Sequence, residues 1–400
     1  MPATDIPSRE SIRAAFPALA SSTVFLENAG GSQMPACVMD AIAEFCRTSY
    51  AQIGAAYPES ETATHVKTRA HHFLNLLFGG EGLGEVAIGP SSTALMQTLA
   101  WAMRAHLKPG DEVILSESGH ESSLGPWVRL EEFGVKVVWW KVDPTTGESR
   151  LDDLAALLSD RTRVVCFTQT CNLLGDIVDP AAVVNLVRPT GACVIVDSVA
   201  AASHAAVDVA AWGVDFCCVS MYKVYGPHVG ALWGRREWWD RLKGPNHFFI
   251  GAGAPSFELG CLPYELLAGV VAVGKYFEFV TGREPDREGI LAAFGHFKAM
   301  EQPLVSRFLE YAQANPRMKL FGPPGPRHPT FGFVIKGHSS RAIVDKLCRA
   351  GIGCKYGHFY AYRMCEALGL DPADGVARIS AVHYNSVEEM DRVIEVLDGL

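Results

Sequence analysis

The stretch that decides the fold runs from Ala192 to Lys223: "ACVIVDSVAAASHAAVDVAAWGVDFCCVSMYK". Two short apolar runs, "ACVIVD" and "VDFCCVS", flank a loop. Runs this short, rich in β-branched residues, read as buried strands rather than helices. The first ends on Asp197. The second leads through Ser220 and Tyr222 to Lys223, and a Gly226-Pro227 turn follows. A single lysine there has two readings. It lies along apolar surface with its amine in water, or it is a nucleophile held in a pocket.

The pattern extends upstream. "EVAIG" precedes a helix over about 92–106, "DEVILS" precedes "SSLGPWVRLEEFG", "VKVVWWKV" precedes "LDDLAALLS", and "TRVVCFTQT" precedes "PAAVVNLVRPTG". Strands alternating with helices give βαβ units and a mostly parallel sheet, an α/β fold. Ligands collect at the C-terminal ends of such strands. Downstream, "YELLAGVVAVGKYFEFV" reads as helix, as does 287–314. "FGPPGPRHP" breaks the pattern. A β-α-β-β-α order then predicts a smaller α+β domain from 285 to the end, whose last helix starts at Ser386 with Glu388 and Glu389 in its first turn.

The chain has 400 residues, 48% hydrophobic and 20% charged, with a net charge of −9. That balance argues against nucleic acid or an anionic membrane as partner. The N-terminus shows no signal-peptide pattern, and no apolar run approaches the ~20 residues of a membrane span. Eleven scattered cysteines without a CxxC pair predict reduced thiols in a cytoplasmic protein. The 13 histidines form no ligand-spaced cluster, so no metal is expected.

Asp197 and Lys223 sit at the ends of successive strands. They pair simply with each other, or they serve pyridoxal phosphate (PLP), which needs a lysine for its Schiff base and a carboxylate against its pyridine nitrogen. "GPSST" at 89–93 opens a helix. Ser91 or Ser92 is an ordinary N-cap there, or the turn holds a phosphate. His120 in "SGHESS" is a solvated loop histidine or a ring-stacking group, and Arg378 in "VARIS" a surface arginine or a carboxylate clamp.

Taken together, five motifs resemble the class V aminotransferase family of fold-type I PLP enzymes, the cysteine-desulfurase-like group. They are "VFLENAGGSQMP", "SGHESSLGPW", "QTCNLLGDIVD", "VIVDSVAAASHAAVD" and "VARISAVHYNSVEEMD". The resemblance implies a large PLP-binding domain over 21–284 with a mostly parallel, seven-stranded-type sheet. It also implies a small C-terminal domain over 285–400 and an N-terminal segment, 1–20, packed on the small domain. Lys223 would form the Schiff base and later act as general base, Asp197 would pair with the pyridinium, and His120 would stack on the ring. Asn172 would bond the phenolic oxygen. Ser92, Thr93, Ser220 and Tyr222 would hold the phosphate. Arg378 would clamp the substrate carboxylate, with Asn28, Ala29 and Gly30 lining the substrate side by their backbone; Tyr57, His358, Phe359 and Tyr360 are the pocket candidates. A homodimer is implied, with a small amino acid as substrate.

The departures carry the functional reading. The segment "KYGHFYAYR" lacks the cysteine that takes up sulfur in desulfurases, and Cys354 reads as a buried strand thiol. Ala200 stands where relatives place glutamine or histidine. Ala254 in "GAGAPSF" stands where relatives have a threonine, and Tyr222 replaces a histidine. These features are similar to a cysteine-free subgroup that includes the fungal loline-pathway PLP-dependent cyclases. The expectation is biosynthetic carbon–carbon bond formation by Mannich-type cyclisation. The alternatives are C–S lysis or β-elimination without a persulfide relay, epimerisation and transamination.

Overall fold

The computed structural model describes residues 7–400. The segment expected over 1–20 falls in part on residues 1–6, which lie outside the described residues. The strands read upstream of Lys223 are present. They are β1 (Gly84–Gly89), β2 (Glu112–Ser116), β3 (Lys136–Trp140), β4 (Thr162–Thr168), β5 (Cys193–Asp197) and β6 (Phe216–Ser220). A further strand, β7 (Gly230–Arg235), completes a seven-stranded sheet of order β1-β7-β6-β5-β4-β2-β3. Strands β3, β2, β4, β5 and β6 pair in parallel, and β7 runs antiparallel to both β6 and β1.

β7 is the seventh strand that the resemblance implies, but no run in the sequence marks it. Its "GALWGR" carries two glycines, which dilute a strand signal. Packing requires both. A Cβ on Gly230 would stand 2.3 Å from the Ser91 carbonyl carbon, and one on Gly234 would stand 2.5 Å from the Phe216 ring.

Every residue of β2, β5 and β6 is buried, which explains their unbroken apolar sequences. Successive side chains serve opposite faces. Val194 and Val196 enter one core with the helices Pro58–Phe78 and Tyr264–Thr281. Cys193 and Ile195 enter another with Ser92–Met103 and Glu121–Val128.

A second sheet contains β8 (Met318–Leu320), β9 (Thr330–Ile335), β10 (Lys355–Gly357) and β11 (Val376–Ser380). Its order is β10-β11-β9-β8, all antiparallel. The long helix Arg287–Ala314 and the last helix, Val387–Asp398, pack against each other beside it. Ser386 caps that last helix in a reciprocal box with Glu389. Near the N-terminus, Val24–Phe25 pairs in parallel with Ile352–Gly353. Arg9 donates to the carbonyls of Met300 and His383, and Arg13 to that of Tyr384. All eleven cysteines are free. Among the described residues no helix is long and apolar enough to cross a membrane, and no group of side chains could hold a metal ion.

Candidate active site

The parallel pairing sets the C-terminal ends of β4, β5 and β6 side by side, Thr168 opposite Asp197 and Asp197 opposite Cys218. Asp197 is buried, and its Oδ1 accepts the Val199 N–H at 2.9 Å. After Ser220 the chain makes one tight turn, Met221–Lys223, closed by the Val224 and Gly226 N–H groups on the Met221 carbonyl. That turn points Lys223 inward. Only 6% of the lysine is exposed, and its amine makes no hydrogen bond or ion pair with any described residue. The surface-lysine and simple-pair readings therefore both fall. Burial, and then the charge of Arg378, push the lysine down to about 8, against the pull of Asp197.

Lys223 and Asp197 share one cavity with Ser92, Thr93, His120, Asn172, Ser220 and Tyr222. Ser91 is the N-cap, accepting the Ala94 N–H at 3.1 Å. That frees Ser92, whose hydroxyl lies 2.6 Å from that of Ser220. Four hydroxyl-bearing side chains, Ser92, Thr93, Ser220 and Tyr222, thus gather at the N-terminus of a twelve-residue helix. This is a ready anion site. The close approach of Gly230 to Ser91 and Ser92 opens the cradle for it.

His120 caps the helix Glu121–Val128, its Nδ1 accepting the Ser122 N–H at 3.1 Å. A nitrogen that accepts cannot carry the proton, so the neutral ring holds it on Nε2. Burial pushes this histidine down to about 4, opposed by Asp197 and reinforced by Lys223 and Arg378. It therefore presents an uncharged ring near neutral pH.

Asn172 joins the cavity to the second sheet. Its Nδ2 donates to the Phe359 carbonyl at 2.8 Å, and its own carbonyl accepts Arg378 Nη1 at 2.9 Å. Arg378 lies on β11, only 2% exposed. Its guanidinium is 3.7 Å beneath the Phe359 ring, with Glu27 at 4.0 Å. Arg378 Nε and Asn172 Oδ1 are buried without partners.

Several expected residues lie elsewhere. Arg378 does not form the cavity wall but sits behind Phe359. Asn28, Ala29 and Gly30 are not brought into the wall either. The Asn28 amide is committed to Phe25, Ser380, Asn385 and Tyr384, and the Ala29 and Gly30 N–H groups are bonded to Ser380 Oγ and the Glu27 carbonyl. His358 turns back on its own loop, accepting the Tyr360 N–H at 3.0 Å. Tyr360 stands at the mouth, 65% exposed, its ring 5.2 Å from that of His120.

Thr168, Thr170 and Ser122 line the cavity and were not singled out in the sequence. The first two were visible as "TQT" at a strand end. Phe359, a pocket candidate in the sequence, instead covers Arg378, a contact with no sequence signal. Ala200 does line the wall, whereas Ala254 is buried in the core beside Phe257. No cysteine lines the cavity. Burial raises the thiols of Cys166, Cys171, Cys217 and Cys354, and that of Cys365 to about 11. None of these five is a thiolate near neutral pH.

This donor set fits PLP. An unpaired buried amine, a separate buried carboxylate and a hydroxyl-lined helix N-terminus match the aldehyde, pyridine nitrogen and phosphate of that group.

The model for "Aminotransferase class-V" matches residues 24–393. The aminotransferase-like protein FGM3 of Gibberella zeae is 34% identical, covering 98% of each chain. The cysteine desulfurase-like protein ustD of Aspergillus flavus is 29% identical over 98% of this chain and 90% of its own. Among solved structures, the cysteine desulfurase of Thermococcus onnurineus superposes over the whole of both chains with a TM-score of 0.89 at 23% identity.

Proposed function

Since the chain belongs to the class V aminotransferase family of PLP-dependent enzymes, we propose that it acts on a small α-amino acid and joins the α-carbon to an electrophile in a Mannich-type cyclisation. The observation that carries this is the pairing of a complete Lys223–Asp197 cavity with a covering loop, "GHFYAYR", that offers no thiol. Sulfur transfer needs a mobile thiolate, and no cysteine lines this cavity, while burial raises the thiols of Cys166 and Cys171 on the strand and loop that lead to it.

Bound in this cavity, PLP supplies an aldehyde that condenses with amines and a ring that takes up negative charge from the α-carbon. The chain does the rest. Asp197, with one oxygen fixed by Val199, holds a positive charge at the pyridine nitrogen. Lys223 takes the α-proton on Nζ. With a pKa of about 8, roughly one-tenth of the amine is neutral at pH 7, against about one part in three thousand for an ordinary lysine. His120 offers a flat neutral face that competes for no proton. Arg378, whose Nε has no partner, binds the substrate carboxylate once the Phe359 ring moves off the guanidinium it covers. The reading includes a homodimer. The exposed pair Phe248 and Phe249, next to the turn that carries Ala254, supports such a contact, and light scattering checks it.

Mass spectrometry of holoenzyme incubated with a panel of amino acids tests the reaction. The expected product keeps the amino-acid skeleton and gains a ring or a new carbon–carbon bond. A keto acid with a released leaving group marks elimination instead. Free sulfide from cysteine would contradict the proposal.

A further inference from the structure

A second cleft lies behind the β4 strand end, outside the cavity described above. It is bounded by the loop after β4, the helix Arg287–Ala314 and the Pro/Gly-rich segment before β9. Its side walls are apolar, built from Ile177, Val305 and Leu309. Its floor is polar. His204 Nδ1 lies 3.0 Å from the Glu301 carboxyl, and the His204 ring stacks on His328 at 4.8 Å.

Three groups here lack partners. Gln169 is only 6% exposed, yet its Oε1 is unbonded, and His328 Nε2 and Arg327 Nε are likewise buried and unsatisfied. Buried polar atoms are almost always paired, by protein, water or ligand. All three of these residues line this one cleft, where a polar ligand would complete their pairing. Apolar walls with a few convergent polar groups are the general form of a small-molecule site.

The cation at the rim of the cleft is Lys298. Burial pushes His204 and His328 toward their neutral forms and raises Glu301 toward its protonated form. Asp176, beside Arg327, is raised by burial to about 6, so near neutral pH it is mostly ionised and offsets the Arg327 charge. Lys298 at the rim is exposed, acts on His328 by its charge, and has no carboxylate partner among the described residues. Arg327 spends Nη1 and Nη2 on the carbonyls of Phe321 and Pro323.

From this geometry we infer a second binding site, for a small amphipathic carboxylate. Its acid group meets Lys298 at the rim, its apolar body lies between Val305 and Leu309, and its inner end lies toward Gln169 and His328. The inference does not depend on the reaction at the first cavity. It does touch that cavity's frame. Gln169 lies between Thr168 and Thr170, and its N–H donates to the Asp197 carbonyl at 2.9 Å.

Calorimetric titration of the holoenzyme with 3-phenylpropanoate, and with 3-phenylpropan-1-amine as the charge-reversed control, tests the site. The acid is expected to bind saturably and the amine not. Lys298→Glu, an exposed change that spares the fold, should weaken the acid about tenfold or more, while Arg378→Lys should leave it unchanged. Loss of binding in Arg378→Lys with full binding in Lys298→Glu would place the probe in the first cavity and overturn the second site. So would equal binding of acid and amine, or no saturable binding below about 10 mM, which would leave the cleft to water alone.

Discussion

The strand-end cavity and the loop that covers it are built on opposite principles. Asp197, Ser220 and Lys223 are placed by two adjacent strands and one tight turn. The covering loop has no such frame. Phe359 and Tyr360 both take positive φ, 49° and 62°, where bulky residues are strained. Long-range contacts hold them there. Asn172 grips the Phe359 carbonyl from 187 residues away, and the Glu121 N–H bonds the Tyr360 carbonyl at 2.9 Å. The frame fixes which chemistry is possible, and the loop fixes what reaches it. Changes in the frame should therefore abolish reaction, and changes in the loop should alter binding.

The largest expected effect is in the frame. Lys223→Ala should cost about 10³-fold or more in kcat and remove the visible absorbance of the lysine-bound cofactor. An unchanged absorbance band would mean that another group holds the cofactor.

Next is the pH dependence. Lysine is the base only when neutral, so kcat should rise with pH and level off above about 8. Between pH 8 and pH 6 the fall should be about fiftyfold, as the loss of a single proton-accepting amine requires. A flat profile over that range would remove Lys223 from the proton transfer.

The loop should respond differently. Phe359→Ala uncovers Arg378, so that no ring has to move off it, and should lower KM for an amino acid about tenfold with kcat little changed. The same variant should leave turnover of the corresponding amine, which lacks a carboxylate, where it was. A loss in kcat alone would move Phe359 from binding into the frame.

The smallest effect is on stability. Tyr360→Gly relieves a positive-φ tyrosine that is mostly exposed. It should raise the unfolding free energy by about 1 kcal/mol in denaturant titration. A decrease would show that the ring contact with His120 outweighs the strain.

The same division explains what the sequence disclosed. Strands buried on both faces announce themselves as unbroken apolar runs, and their ends carry the polar residues. Asp197, Asn172, Ser92 and Lys223 were legible for that reason. β7 was hidden because Gly230 and Gly234 are demanded by neighbours far away in the chain. Arg378 was legible as a residue, but its cover was not. A phenylalanine lying on a guanidinium 19 positions later depends on how β10 and β11 register and on the loop between them. Asn28, Ala29 and Gly30 read as substrate-facing, yet their polar groups are committed to stitching the N-terminal strand to the end of β11. No local pattern separates those two uses.

The most direct test of the central claim is proton exchange at the substrate α-carbon. Holoenzyme and its Lys223→Ala variant are incubated with the amino-acid panel in deuterated water, and Cα deuterium is followed by mass spectrometry. The expected result is rapid exchange for at least one amino acid with the native chain and none with the variant. Equal exchange in both, or sulfide release from cysteine by the native chain, would contradict it.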